Sequence, residues 1–310
     1  MKTRWFDLLN IYQPKMSFPG GLDQDSVQRF LKSVSVDNSP ASEFAGYVDR
    51  DWRRFVYTWM LCRDLTGACL EIGASPYFTT ALLKEFTGLE LVLSNYSSTA
   101  TRMGENVARW ISPRTGSEVE HRMVHDLFNV ETDPLRYPDD HFDVILFCEV
   151  VEHLTNDPLA ALMEIRRVLK PGGKLILSTP NSASARNILK IVTGKSVYDR
   201  YSAYGPYGRH NREYTKGEME RLLDAVGFSV ETAFTANVLF PRRAQQIGSF
   251  LAELYFSLFS RKRARALGQY MFVSSVKRDV GQVMRPDWLF RSYANREVVG
   301  RTSDLLTRAG

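Results

Sequence analysis

The stretch 68–78, Ala-Cys-Leu-Glu-Ile-Gly-Ala-Ser-Pro-Tyr-Phe, constrains the fold of this chain more than any other. An apolar strand over 68–72 runs through Glu71 into Gly73, and apolar residues then recur at helical spacing in Leu82, Leu83 and Phe86. Strand, tight turn and helix in that order form the opening unit of a nucleotide-binding α/β sheet. Of the glycines in a Glu-x-Gly-x-Gly-x-Gly turn only Gly73 is present, because Ser75 and Tyr77 hold the other two positions.

Downstream, further strands are expected over 89–94, 119–124, 142–147 and 174–179. Met103, Val107, Trp110 and Ile111 mark a helix face between the second and third strands, and Leu159, Leu162, Ile165 and Leu169 mark another between the fourth and fifth. Pro171-Gly172-Gly173 reads as the end of that second helix. After Asn181 the period breaks down into a segment rich in Tyr, Gly and Ser that reaches Gly208. A helix over 216–225 and strands over 228–237 and 269–277 complete the series. Such alternation implies an α/β fold with a doubly wound, mostly parallel sheet of seven strands and helices on both faces.

The expected organisation is an N-terminal helical extension or lid over 1–42, a core domain over 43–278 and a C-terminal tail over 279–310. A helix over 43–65 carries an aromatic stripe that either packs on the sheet or covers the site. Residues 241–267 form a helical insertion before the last strand, and 285–290 reads as a docked arm.

At 310 residues and 44% hydrophobic composition the chain can bury one large core. Neither a secretory leader nor a continuous apolar run long enough to span a bilayer is seen, and Cys62, Cys69 and Cys148 have no metal-like spacing. A cytoplasmic protein with reduced thiols is expected. The net charge of +5 conceals an asymmetry: residues 241–310 hold thirteen Lys and Arg against five Asp and Glu, which leaves 1–240 acidic.

Six segments, in order and spacing, resemble the class I S-adenosylmethionine (SAM) dependent methyltransferases of types 11 and 12. They are Leu-Glu-Ile-Gly-Ala (70–74), Leu-Ser-Asn-Tyr-Ser (93–97), His-Asp-Leu (125–127), Phe-Asp-Val-Ile-Leu-Phe-Cys-Glu-Val-Val-Glu-His-Leu (142–154), Arg-Arg-Val-Leu-Lys-Pro-Gly-Gly-Lys-Leu-Ile-Leu-Ser-Thr-Pro-Asn (166–181) and His-Asn-Arg-Glu-Tyr-Thr (210–215). The resemblance implies a SAM site built from Glu71, Gly73, Ala74, Asn95, Asp126, Leu127 and Cys148, with an antiparallel last strand. At position 95 the family usually places an acid for the ribose hydroxyls; an amide both accepts and donates there. Ser97 is expected to cap a helix.

The resemblance also places an acceptor-site base after the fourth strand, in 149–153. His153 titrates in the right range to take a proton from an acceptor hydroxyl, with Glu149 and His210 as partners. Glu149, Glu152, His153 and His210 also resemble the metal site of RNA 2′-O-methyltransferases that act on small-RNA 3′ ends, so a divalent ion is the alternative to a metal-free site. RNA-binding modules and dense basic faces are lacking, and nucleic acid is not the expected partner.

The implied reaction is methyl transfer to oxygen, before nitrogen, of a small-molecule or carrier-linked acceptor such as a surface-glycan sugar, a quinone precursor or a polyketide-like metabolite. The tyrosines of 198–207 would wall its site. A non-catalytic relative that docks on a membrane or partner is the rival reading. The insertion, apolar over 250–259 and basic over 261–265, either lies in a membrane interface through 248–265 or packs on the domain or on a second copy in a homodimer.

Overall fold

A computed structural model describes residues 13–292 apart from 38, 40, 100, 240–242, 280–282 and 284. The expected readings of 1–12 and 293–310 lie outside the described residues. Among the described residues nine strands form one sheet: β1 Ser35–Val36, β2 Thr66–Ile72, β3 Gly88–Tyr96, β4 Met103–Ile111, β5 Glu118–Phe128, β6 Phe142–Cys148, β7 Leu169–Pro180, β8 Phe228–Ala236 and β9 Tyr270–Lys277. Their order is β1-β4-β5-β3-β2-β6-β7-β9-β8. The inner five, β5-β3-β2-β6-β7, run parallel, and β9 is antiparallel to both β7 and β8.

The expected doubly wound class therefore holds, with two more strands than the seven expected. One of them, β4, replaces the helix expected over 103–111 and pairs antiparallel with β5, Trp110 opposite Val119. The physical reason is that a short stretch satisfies both periods. The helical set Met103, Val107, Trp110, Ile111 leaves Met103 and Ile111 in solvent, whereas the alternating set turns Ala108 and Trp110 into the core. Trp110 then donates its indole N–H to Glu85 Oε1 at 2.8 Å. A side chain at Gly104 would run into the His125 ring across the ladder. Among the described residues no helix lies between β3 and β4 for Ser97 to cap; its hydroxyl meets that of Thr99 in a loop.

The helices are α1 Gln24–Ser33, α2 Ala41–Cys62, α3 Phe78–Phe86, α4 Pro158–Val168, α5 Ala185–Val192, α6 Lys216–Ala225, α7 Arg243–Phe259 and α8 Arg261–Ala264. One apolar layer, including Phe30, Trp52, Phe55, Trp59, Phe78 and Leu82, joins α1, α2 and α3 to one face of the sheet. The other, including Leu159, Leu162, Ile165, Leu222 and Leu223, joins α4 and α6 to the opposite face. Residues 24–36 do more than lie over the domain, because β1 extends the sheet by pairing with β4.

α4 stops at Val168, ahead of Pro171-Gly172-Gly173, which lie within β7 next to a register shift against β6. The segment after Asn181 contains α5, begun by Ser184, whose hydroxyl accepts from the Asn187 N–H. In the tail, Arg285 is buried and pairs with Asp157 at 2.7 Å, and Trp288 sits beneath the Arg221 guanidinium. That part of the tail is a docked arm, as expected.

Candidate active site

The carboxyl ends of β2, β6 and β7 meet α2 around a cavity of about 320 Å³. Glu71, Gly73, Ala74, Cys148, Glu149, Glu152, His153 and His210 all line it. An open parallel sheet places a ligand at this position, outside the strand ends where the winding reverses.

The floor is the turn after β2. Gly73 has φ +78°, a left-handed conformation, and a Cβ there would lie 3.0 Å from Val150 Cγ2. The Gly73 and Ala74 N–H groups donate to Ser94 O at 2.9 and 3.0 Å, and the Ser75 N–H donates to Asn95 Oδ1 at 2.9 Å. The end of β3 therefore clamps three successive amides. Glu71 is buried and accepts from Thr80 Oγ1 at 2.7 Å; burial pushes its carboxyl up to about 7. A bound ammonium beside it would reverse that shift. Burial also raises Cys148 to about 12, so it is a thiol.

The roof is α2, which both packs on the core and covers the cavity. Tyr47, Asp51, Arg54, Phe55 and Thr58 line it from above. Arg54 pairs with Glu149 Oε2 at 2.7 Å and also donates to the Tyr47 hydroxyl. Burial opposes the charge of Arg54, but Glu149 together with Tyr47, Tyr270 and Asp51 more than restores it. Glu149 adopts φ +58° and takes a second bond, 2.8 Å, from Ser178 Oγ. Non-glycine residues held in that region cluster at functional sites.

The far wall holds two imidazoles with ring centroids 5.0 Å apart. His153 Nδ1 lies 3.0 Å from Arg209 O, which can only accept, so the proton sits on Nδ1 and Nε2 carries the lone pair. Burial and the neighbouring His210 hold His153 below its ordinary range. His210 Nδ1 meets Glu213 Oε1 at 2.9 Å, and although burial works against it, Glu213 and Glu152 raise its pKa. Glu152 is 0% exposed. Its Oε2 accepts from Thr179 at 2.9 Å, and its Oε1 has no hydrogen-bond partner among the described residues. Burial and then Glu149 push it up to about 8. Glu152, His153 and His210 each offer a ligand atom within 4.8 Å of the other two. Glu149 is outside this set, so the four-residue metal site of the sequence reading reduces to three.

Asn95, Asp126 and Leu127 do not line the cavity. They lie on the adjoining strand ends, Asn95 opposite Leu127 and Ser94 opposite Asp126. Asn95 Nδ2 donates to Tyr77 Oη at 3.3 Å, and Asp126 accepts from the Tyr137 hydroxyl. The expected tyrosine wall is also divided. Tyr201 and Tyr204 stand in solvent, whereas Tyr207 donates to Glu131 Oε2 at 2.8 Å and lies against Tyr96. Tyr198 lines a second cavity of about 240 Å³ that shares His210 and Tyr270 with the first and includes Arg186, Lys190, Asp199 and Glu213. Sequence reasoning missed Arg54 and Tyr270. The signal for Arg54 was a charge cluster, Arg50-Asp51 and Arg53-Arg54, interrupting an aromatic helix face.

The methyltransferase domain family matches residues 44–233. A ubiquinone biosynthesis O-methyltransferase of Dinoroseobacter shibae is 32% identical over 123 residues, 39% of this chain and 45% of that one. A ubiquinone/menaquinone biosynthesis C-methyltransferase of Vibrio parahaemolyticus is 27% identical over 191 residues, 56% of this chain and 65% of that one. The chain spans less than two thirds of the length of either relative. Among solved structures, a SAM-dependent methyltransferase from Archaeoglobus fulgidus superposes with a TM-score of 0.43 at 15% identity, over 73% of this chain and 94% of that one. Among the described residues no helix is long and apolar enough to cross a membrane. With the match covering the strands, turn and helix that build the cavity, this chain belongs to the methyltransferase domain family, among the class I SAM-dependent methyltransferases.

Proposed function

We propose that this chain transfers a methyl group from SAM to an oxygen of a small-molecule or carrier-linked acceptor. The observation that carries the reading is one cavity lined both by the Glu71–Gly73 turn and by His153, an imidazole with its lone pair on Nε2. SAM, when bound, supplies an electrophilic methyl on a sulfonium whose departure leaves a neutral thioether. The residues present fit its methionyl end: Glu71 takes the ammonium, the glycine turn allows close backbone approach, and Arg54 is the cation within reach of the carboxylate. Asn95 and Asp126, at neighbouring strand ends, are positioned for the nucleoside.

His153 acts as the base. As the acceptor oxygen forms its bond to the methyl carbon, the hydroxyl proton passes to Nε2, while the Arg209 carbonyl holds the ring by Nδ1. The depressed pKa keeps the imidazole neutral and ready to accept at neutral pH. Sugar hydroxyls, quinone-precursor phenols and polyketide-like enols all present such an oxygen. Calorimetric titration of SAM, followed by a screen of these acceptors with labelled SAM, tests the reading. A folded protein that binds no SAM would sink it in favour of a docking role without catalysis.

A second reading has its own observation. The buried Glu152 Oε1 lacks a partner among the described residues, and Glu152 belongs to a cluster that would suit a divalent ion. Glu152, His153 and His210 would hold it, and it would supply Lewis-acid activation of a hydroxyl. Chelation decides between the two.

A further inference from the structure

We infer that the α5–α7 face is an in-plane docking surface for an anionic lipid bilayer. The inference rests on the methyltransferase reading for its consequence, that the acceptor is borne on the membrane. A surface helix of a globular protein ordinarily turns its apolar stripe inward. α7 does the reverse: Ile247, Leu251, Leu254, Tyr255, Leu258 and Phe259, spaced by three, four, seven and eight, are all exposed, Leu258 by 77% and Phe259 by 72%. α7 rests on α5, where a Cβ at Gly248 would lie 3.0 Å from Leu189 Cδ2. α5 continues the apolar surface through Leu189, Ile191 and Val192, also exposed. A contiguous patch built from two helices is a docking site rather than scattered surface residues.

Charge names the occupant. Residues 241–267 contain six Arg or Lys and one acid, Glu253. Arg261, Lys262 and Arg263 follow the apolar stripe directly and are exposed, and Lys190 and Lys195 lie at the end of α5. Among the described residues none of these five is in a salt bridge. An apolar stripe with an unpaired basic rim matches acyl chains beneath anionic headgroups. A symmetric pairing of two copies through this face would bring that rim no acid of the 241–267 segment other than Glu253. No described helix is long and apolar enough to span, so the contact lies in the plane of the interface.

The position of the face completes the argument. Lys190 and Arg186 line the second cavity, while Leu189 and Val192 on the same short helix face outward. That cavity leads to His210 and Tyr270, which the first cavity shares. A molecule anchored in the lipid beside α5 would reach the imidazoles with its polar head, passing two cations suited to a phosphate or carboxylate.

The test is flotation of the full chain with vesicles of phosphatidylcholine alone and of phosphatidylcholine rich in phosphatidylglycerol. The expected result is binding to the anionic vesicles only, reduced about tenfold or more in both Leu251→Asp/Leu258→Asp and Arg261→Glu/Lys262→Glu. Circular dichroism and SAM titration should be unchanged in both variants. Equal binding to both lipids, or no binding by the folded chain, overturns the proposal. So does a dimer, seen by light scattering without lipid, that Leu251→Asp/Leu258→Asp dissociates. Loss of SAM binding in the wild type with vesicle binding intact would overturn the methyltransferase reading alone.

Discussion

Arg54 on α2 and Glu149 after β6 are joined by a 2.7 Å ion pair inside the cavity. The pair locks the roof of the site to its wall and removes Glu149 from the group of free carboxylates around His153. Breaking a buried pair from one side leaves an uncompensated charge. Arg54→Met should destabilise the protein by about 3 kcal/mol and weaken SAM binding, whereas Arg54→Met/Glu149→Gln should recover most of the stability without recovering the affinity. Thermal denaturation and calorimetry read the two effects separately. Wild-type SAM affinity in the double variant would remove Arg54 from the cofactor site.

Glu71 gives a pH dependence with a definite sign. Its folded value of about 7 lies above the ordinary 4.5 of the unfolded chain, so between them the folded protein keeps a proton that the unfolded chain has released. Stability from this group is therefore full below about 4.5 and is lost as the pH rises through about 7. Glu152 acts in the same direction. Glu71→Gln should stabilise the ligand-free protein at pH ~8, by about 2 kcal/mol, and at the same time weaken SAM binding. Denaturant midpoints across pH that keep the wild-type slope in Glu71→Gln would contradict this account.

Gly73→Val should abolish SAM binding while the fold persists. A branched side chain at φ +78° is strained, and its Cβ would press on Val150 at 3.0 Å. Unchanged affinity by calorimetry, with native circular dichroism, would place the cofactor elsewhere.

Asn95 holds the turn by accepting from the Ser75 N–H and donating to Tyr77. Asn95→Asp keeps the first bond and adds charge toward the ribose, so SAM should bind tighter by about 1 kcal/mol. Asn95→Ala should bind more weakly than wild type, and equal affinity would exclude both roles.

His153→Ala should lower turnover by roughly 10²-fold with SAM affinity nearly intact. If His153 is a base, chelators have no effect and Glu152→Ala is milder. If a divalent ion sits at the cluster, Glu152→Ala and His210→Ala match His153→Ala, and chelation reproduces the loss reversibly. Elemental analysis of the purified protein for a tightly held ion provides an independent check.

Much of this was readable from local pattern. The β2 strand, Gly73 and the α3 helix follow from apolar spacing and one obligatory left-handed residue, and α6 falls where its Thr215-x-x-Glu218 capping box starts it and Gly227 ends it. Glu71, His153 and His210 were nameable because each stands at a strand end or loop whose place in the series is set by the strands around it. β4 was not readable, since nine residues satisfy both a helical and an alternating period and only pairing with β5 decides between them. Nor was the division of the acid pair: Glu149 and Glu152 look equivalent in sequence, yet a guanidinium ninety-five residues away in the chain neutralises one and leaves the other buried, with one oxygen unpartnered among the described residues. The outward turn of the α7 stripe is of the same kind. Period shows that a helix has an apolar face, but the neighbours that could cover it are brought there, or left out, only by the tertiary fold.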